Sequence, residues 1–236
     1  MQRDVDTLPW LADINDKGRE IWRSSAMPGR KTEAWRYTPV RALERNAWLA
    51  APGPVEQGEN LARMFHIDAL DAAAVVFVNG QYSAALSAAR LPGGIEMVRF
   101  AEASDAEARE IRHHLGGVVD DTQHMFAALN DSWLADGVFL RVGTNAVVST
   151  PIQVVWLTLP EEQGFAVSQR LLVVMEANSE ATLVEHFASS ADEQNAFTNG
   201  VTELVVGEGA RLHHYRLQLE EEHALHIGGV HVNLAC

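Results

Sequence analysis

The chain has 236 residues, of which 47% are hydrophobic and 21% charged, a composition typical of a globular protein with one large domain or two smaller ones. Its net charge of -14 argues against a general nucleic-acid binder, because binding to phosphates requires positive charge. The single cysteine, Cys236, excludes an intrachain disulfide and fits a reducing compartment. No apolar run approaches the roughly 20 residues of a membrane span, and the N-terminus has none long enough for a signal peptide. We therefore expect a cytoplasmic protein without nucleic-acid or membrane partners.

The first predicted element is a helix. Thr7 can cap it, Pro9 suits its first turn, and Pro28 with Gly29 ends it. Its apolar stripe is narrow, which favours a helix laid on another surface of the molecule. The residues of the stripe are Leu11, Ile14, Ile21 and Trp22.

Residues 28–38 combine basic and aromatic side chains at high density. One interpretation is a packed connector, in which Trp35 and Tyr37 are buried while the cations stay in water. The other is a docking segment, since Trp, Tyr and Arg dominate interface hot spots. The candidate docking residues, for a partner or for the rest of the chain, are Arg30, Lys31, Glu33, Trp35, Arg36 and Tyr37.

This segment lies in a basic arm on an acidic protein. Residues 17–45 contain eight Lys and Arg against three acidic residues, whereas residues 137–236 contain four Arg against twelve acidic residues. Such an arm can bind an acidic partner or the acidic remainder of the chain.

Residues 1–136 are predicted to form an N-terminal α+β, partly helical region. A linker is predicted at 51–60, and Asn79-Gly80 is a strong hairpin signal between apolar runs. A capping-box sequence begins at Ser104, and Asp121-Thr122 can open a further helix. The predicted elements are strands at 74–78, 82–86 and 95–100, a helix from 104 to about 116, and a helix from 121 that ends by 137.

From residue 137 onward, short β-branched segments alternate with Gly, Asn, Ser or Pro, which is typical of a sheet. Shifting residues 171–187 forward by 31 places the polar corner at Asn178 on Gly209, and a weaker copy has its corner near Asn145. This repetition predicts a mainly β fold with a β-solenoid core at 137–236, although a jelly roll or sandwich also gives short strands at regular intervals. Because no terminal cap follows the last strand segment, we expect the solenoid to be incomplete.

Histidines are the natural candidates for metal chemistry. On a strand, neighbouring side chains point to opposite faces, so of His213 and His214 only one can face the interior of a solenoid. The histidine spacing matches no zinc pattern, which favours structural or surface roles over a transient contact with iron or a cluster. The histidines considered are His186, His213, His214, His223, His226 and His231.

An enzymatic alternative also follows from the solenoid prediction. Some β-helix enzymes cleave acidic polysaccharides with clustered carboxylates, and a free-standing solenoid that binds polysaccharide is the related alternative. The chain has no nucleophile elbow, phosphate loop or dinucleotide fingerprint, which argues against other common enzyme classes. The glutamates available to a lyase are Glu176, Glu180, Glu185, Glu203 and Glu208.

Three groups of residues, in order along the chain, together span almost all of it. They are residues 28–38, Pro28-Gly-Arg-Lys-Thr-Glu-Ala-Trp-Arg-Tyr-Thr38; residues 126–130 with 137–142 and 151–152; and residues 197–203 with 207–215 and 226–231. These groups resemble the SufB/SufD family of the SUF iron–sulfur cluster assembly system. The form of the first group resembles the SufD branch more than the SufB branch.

The resemblance implies a right-handed parallel β-helix between helical end domains. It also implies a non-catalytic scaffold subunit that assembles iron–sulfur clusters with a SufB-like β-helix subunit and a SufC-like ABC ATPase. No cofactor is then held firmly by this chain, and the complex handles the cluster transiently. Family members are much longer, and their SufC-docking segment and most of the surface that pairs with SufB lie toward the C-terminus. We expect this chain to lack much of that binding, and no family cluster ligand falls on Cys236.

Overall fold

The computed structural model describes residues 8–38, 40–46, 48–51, 61–120 and 124–235. Several sequence predictions lie outside these residues and stay predictions. They are the Thr7 cap, most of the linker at 51–60, the helix start at Asp121-Thr122, and the absence of a cluster-ligand role for Cys236.

Five α-helices and three 3₁₀ turns lie in the described part of the chain. The α-helices are α1 (Ala12–Ser24), α2 (Arg41–Arg45), α3 (Leu61–Met64), α4 (Asp105–His114) and α5 (Met125–Trp133). The 3₁₀ turns are Pro9–Leu11, Glu33–Trp35 and Phe100–Glu102. The predicted capping box is confirmed, because Ser104 Oγ accepts from the Glu107 amide while the Glu107 carboxylate accepts from the Ser104 amide. Among these helices, none has the length and apolarity that crossing a membrane requires.

The described residues contain eleven strands, which form two sheets. They are β1 (Leu49–Ala50), β2 (Ala73–Val78), β3 (Gln81–Tyr82), β4 (Ile95–Arg99), β5 (Val138–Val142), β6 (Ile152–Thr158), β7 (Phe165–Met175), β8 (Glu180–Ser189), β9 (Ala196–Val206), β10 (Arg211–Leu219) and β11 (Leu225–Leu234). Sheet A has the order β11-β9-β7-β5-β4, with β1 also paired to β7, and sheet B has the order β10-β8-β6-β2-β3.

From β5 onward the chain alternates between the sheets, so each coil contributes one strand to each. Strands β5, β7, β9 and β11 pair in parallel, as do β6, β8 and β10. Val173 pairs with Leu204, and Glu180 with Arg211, which confirms the predicted 31-residue shift. The fold is therefore a β-solenoid of about 3 turns, preceded by a helical region, and not an antiparallel jelly roll. Its handedness stays a prediction.

The predicted corners between the sheets are also confirmed. Asn145, Asn178 and Gly209 have φ values of 59°, 57° and 68°, in the left-handed region that Asn and Gly tolerate. Nδ2 of the Asn178 side chain donates to Asn145 Oδ1 at 3.3 Å. A Cβ at position 209 would meet Asn178 Oδ1, so that side chain would have to move if another residue stood at this corner.

Strands from the first 136 residues extend both sheets. Strand β2 pairs in parallel with β6 and forms the predicted hairpin with β3, while β4 pairs antiparallel with β5. The predicted strand at 82–86 is wrong beyond Tyr82. The chain turns there because Ser83 Oγ accepts from the Leu86 amide and the Ser83 carbonyl accepts from Ser87 Oγ. The division of the chain at 136/137 stays a prediction.

An apolar core fills the space between the sheets. Its side chains come from facing strands of successive coils, and full burial of one such side chain stabilises a protein by roughly 1.5–3 kcal/mol. Large buried members are Phe77, Leu140, Val154, Trp156, Leu171, Val173, Leu183, Phe187 and Leu204.

Helices α1 and α5 form a layer on the outer face of sheet A. They approach closely at Gly18, because a Cβ there would lie 2.7 Å from both the Ala128 carbonyl oxygen and the Ser132 amide nitrogen. Asn15 is buried beside it and donates to the carbonyls of Asp131 and Leu134 at 2.7 and 3.0 Å. Helix α1 thus makes its closest contact with α5 through Gly18 and Asn15, which lie next to the predicted apolar stripe and not in it.

A buried charge network joins this helical layer to sheet A. Arg170 on β7 is fully buried and donates to Asp131 of α5 and Glu203 of β9, both at 2.7 Å. Glu203 also accepts from the amides of Gly116 and Val118, which follow α4. Burial alone would lower the pKa of the Arg170 guanidinium, but Glu203 and Asp131 raise it above its ordinary value. The network therefore stays charged and ties two helices to two coils.

Replacing Gly18 by Ala tests the helix contact. The added methyl group meets backbone atoms that cannot rotate away, so we expect a loss of about 1–3 kcal/mol in the free energy of unfolding. Denaturant unfolding followed by circular dichroism measures it. Gly29→Ala is the matched control, since a Cβ there meets nothing within 4 Å. Equal stability of both variants would show that α1 is not packed this closely.

Replacing Arg170 by Met tests the charge network. The change leaves Asp131 and Glu203 buried without their cation, so we expect a loss of about 3–5 kcal/mol. The control is Arg211→Met, which breaks an exposed pair with Glu180 and should cost less than about 1 kcal/mol. Chemical denaturation of both variants gives the comparison, and similar losses would contradict the network's role.

Candidate functional site

The 28–38 segment, α5 and the edge strand β11 enclose an open groove of about 650 Å³. Trp35 and Thr32 form one wall, and the start of α5, with Phe126, forms the floor. The opposite wall is β11, whose outward side chains include Ile227 and His231. The fold therefore places the predicted docking segment beside the last described strand of sheet A.

The segment is shaped by consecutive turns. The Thr32 amide donates to the Gly29 carbonyl at 2.9 Å, and the Trp35 amide donates to the Thr32 carbonyl at 3.0 Å. The Trp35 ring then packs on Phe126 with centroids 5.0 Å apart, and Trp22 of α1 contacts the same ring at 5.9 Å. Three aromatic side chains thus hold the segment against the helical layer.

The remaining candidate residues face solvent. Tyr37 is 88% exposed, so the expectation that it is buried with Trp35 is wrong. Residues two apart in a 3₁₀ turn point in different directions, and the chain continues to turn after Trp35, with the Thr38 amide donating to the Trp35 carbonyl. The other exposed candidates are Arg30, Lys31, Glu33 and Arg36.

The basic charge of the segment is not neutralised by described acidic residues. Arg36 lies 5.7 Å from the ring centroid of Tyr37, a cation–π contact on the surface. Within the described ranges, no ion pair involves Arg30, Lys31 or Arg36. A second hollow of about 330 Å³ lies on the far side of Trp35 and is lined in part by Arg30 and Arg41. The segment therefore presents cations and an aromatic ring together.

Two histidines meet in the main groove. The rings of His124 and His231 have centroids 5.2 Å apart. Burial, followed by the neighbouring His124, lowers the pKa of His231; Arg170 lowers it further, whereas Glu203 raises it. The groove therefore favours a neutral imidazole at position 231. The sequence analysis did not single out His124, since residues 107 positions apart have no local pattern that joins them.

The other histidines are dispersed. His214 faces the solenoid interior while His213 is exposed, as strand alternation predicts. Nδ1 of His186 lies 3.1 Å from Nε2 of Gln153, within hydrogen-bond distance, and burial of the His186 ring lowers its pKa. In the part of the chain that the structure describes, one group of three metal-type ligands has its ligand atoms within 4.8 Å of one another: Glu221, Glu222 and His223.

Comparisons with known proteins bear on this arrangement. Residues 5–154 match the SufBD protein N-terminal region, and residues 158–236 match the SufBD core domain of SUF system FeS cluster assembly. An iron–sulfur cluster assembly SufBD family protein from Synechocystis is 26% identical over 225 residues, which are 92% of this chain and 49% of that protein.

Matches to named SufD and SufB proteins differ in extent. SufD of Escherichia coli is 26% identical over 208 residues, 86% of this chain and 45% of that protein. SufB of Bacillus subtilis is also 26% identical, but over 107 residues, 45% of this chain and 23% of that protein. The chain thus spans about half the length, or less, of these curated relatives. Since the two family regions together cover nearly all of its residues, the chain belongs to the SufBD family of the SUF system for iron–sulfur cluster assembly.

Proposed function

We propose that the protein is a non-catalytic, SufD-like scaffold subunit that assembles iron–sulfur clusters in the cytoplasm with a SufB-like solenoid and a SufC-like ABC ATPase. The observation that supports this most is the form of residues 28–38, which resembles the SufD branch more than the SufB branch. A match to a SufD that covers 86% of the chain agrees with it.

The ligand chemistry supports a shared cluster site. Iron–sulfur clusters are held by several thiolates, and this sequence contains one cysteine, Cys236. We propose that the chain itself holds no cluster firmly, and that a cluster forms on ligands contributed by more than one subunit. The iron and sulfide are then cargo of the complex.

We further propose that residues 28–38 bind an acidic surface of a partner subunit. Trp35 anchors the segment on Phe126, so its backbone is ordered before any partner arrives, which lowers the entropic cost of association. The exposed cations Arg30, Lys31 and Arg36 and the exposed Tyr37 ring supply charge and apolar area. These cations make no ion pair in the described part of the chain, so ion pairing within the protein does not explain why the segment is basic.

The polysaccharide lyase alternative loses support from the positions of its glutamates. Glu185 faces the interior, whereas Glu203 is buried under the helices on the outer face of sheet A. Glu176 and Glu180 lie at the β7–β8 corner. Carboxylates on different faces cannot act together on one sugar chain, and the free-standing binding solenoid has no specific observation in its favour.

Affinity purification tests the scaffold proposal. The tagged gene product that contains this chain is isolated from its own cells, partners are identified by mass spectrometry, and iron is assayed. We expect an ABC-type ATPase and a second β-solenoid protein in near-stoichiometric amounts. Recovery of the protein alone and free of iron, from cells that express the other two, would contradict the proposal.

Charge reversal tests the docking segment. We expect Arg30→Glu with Arg36→Glu to reduce the yield of the purified complex at least severalfold without changing the melting temperature, because both side chains are exposed. Arg90→Glu, an exposed arginine elsewhere on the surface, is the matched control. Trp35→Ala should instead lower the melting temperature, since it removes the contact with Phe126. Unchanged complex yield in the double variant would remove the partner-docking proposal while leaving the scaffold proposal intact.

A further inference from the structure

The interior of the solenoid changes character in its last described coils. Residues 154, 185 and 216 occupy the same position in three successive strands of sheet B and are Val, Glu and Arg. Position 183 is Leu, and its partner one coil later is His214. Apolar packing therefore gives way to titratable side chains inside the solenoid.

Two buried atoms in this region have no hydrogen-bond partner. Glu185 is 2% exposed, and its Oε1 accepts from Thr202 Oγ1 at 2.7 Å. Its Oε2 makes no hydrogen bond, and neither does Nε2 of His214, which lies 3.3 Å away. The two atoms form an ion pair only when His214 is protonated. With a neutral imidazole, a buried carboxylate oxygen and an imidazole nitrogen both lack a hydrogen bond, which is costly, and a cation between them would satisfy both.

The distance between these atoms suits a metal ion. Zinc and similar ions bind imidazole nitrogen and carboxylate oxygen at about 2.0–2.2 Å, so adjacent ligand atoms lie roughly 3 Å apart. Imidazole with carboxylate is a ligand set that divalent first-row metals accept. The side chain of His214 is 15% exposed, so the site is not sealed from solvent.

A second histidine, His226, is prepared as a third ligand next to them. His226 is oriented by Glu220, whose Oε2 lies 2.6 Å from Nδ1, and Glu220 also accepts from Thr198. With Nδ1 donating to the carboxylate, Nε2 has a free electron pair that accepts from the Arg216 guanidinium at 3.2 Å. A carboxylate that fixes the tautomer of a histidine is the usual outer shell of a metal ligand.

Arg216 occupies the centre of this group. Its Nε lies 4.0 Å from Glu185 Oε2, its other end contacts His226, and its guanidinium stacks on Phe187 at 4.5 Å. Glycines at 200 and 228 leave room for it, because a Cβ at 228 would collide with the guanidinium. The guanidinium of Arg216 therefore shows that the surrounding side chains accept a cation at this position.

We propose that the solenoid interior contains a binding site for a divalent first-row metal ion, with Glu185 and His214 as ligands. His226 becomes a third ligand when the guanidinium of Arg216 turns away from it. The site is separate from the 28–38 segment and stands whether or not the chain joins an assembly complex.

Binding of Co²⁺ tests this site, since the visible absorption of the ion reports nitrogen ligation. The measurement uses the whole chain in a Cys236→Ser, His223→Ala background, which removes the thiol and the exposed Glu221–His223 group. We expect one equivalent to bind, with a matching heat signal in calorimetry. His214→Ala should weaken binding at least tenfold, and Glu185→Gln should do the same.

Two further variants separate a metal site from a structural ion pair. His213→Ala, on the opposite face of the same strand, should leave the affinity unchanged. Arg216→Gln should tighten Co²⁺ binding severalfold, because it removes the competing cation; a structural ion pair predicts no gain. Melting curves confirm that each variant is folded, and His214→Asn replaces His214→Ala if the latter unfolds. No Co²⁺ binding in the starting background, or unchanged affinity in folded His214 variants, would overturn the proposal.

Discussion

The structure depends on the buried guanidinium of Arg170. Arg170 lies between sheet A and the helices that cover it, where a charge is tolerated only if its partners are exact in position. Asp131 supplies one partner from α5, and Glu203 supplies the other from the next coil while also holding the chain after α4. The helices and the coils therefore share one network, and loss of Arg170 would remove its contacts to both together. The network sets the position of α5, and with it the floor of the groove in which Trp35 packs.

The solenoid interior illustrates how the same backbone accepts different chemistry. Parallel hydrogen bonds between coils set the register, so an inward side chain can change from one coil to the next without moving the strand. Val154, Glu185 and Arg216 demonstrate this, since they share one position but carry no charge, a negative charge and a positive charge. The polar side chains do not define the fold, and a functional explanation is needed for their presence where apolar residues would pack at lower cost.

Local and periodic features were predictable from the sequence. The 31-residue repeat, the corners at Asn178 and Gly209, the hairpin and the capping box each depend on a few neighbouring residues or a fixed spacing. Contacts between distant residues were not: β2 joins β6 across 79 positions, and Arg170 meets Asp131 across 39. One signal was available, since an arginine inside the apolar run at 165–175 predicts a buried partner. Nothing in the sequence identified Asp131 and Glu203 as those partners. Tyr37 is exposed because of the turn geometry of its segment, which residue types alone do not reveal.

Strand β11 connects the two surfaces proposed for function. Alternation along it places the side chain of His231 in the groove and that of His226 in the interior. The groove and the interior site are therefore opposite faces of one strand whose outer edge has no neighbour in the described sheet. A partner bound beside Trp35 would contact the strand that carries His226, and a metal ion bound by His226 would be held by the same strand from the other side. Any energetic coupling between partner binding and metal binding has its shortest route through this strand, because the core behind it is closely packed and the register of β9 holds it along its whole length.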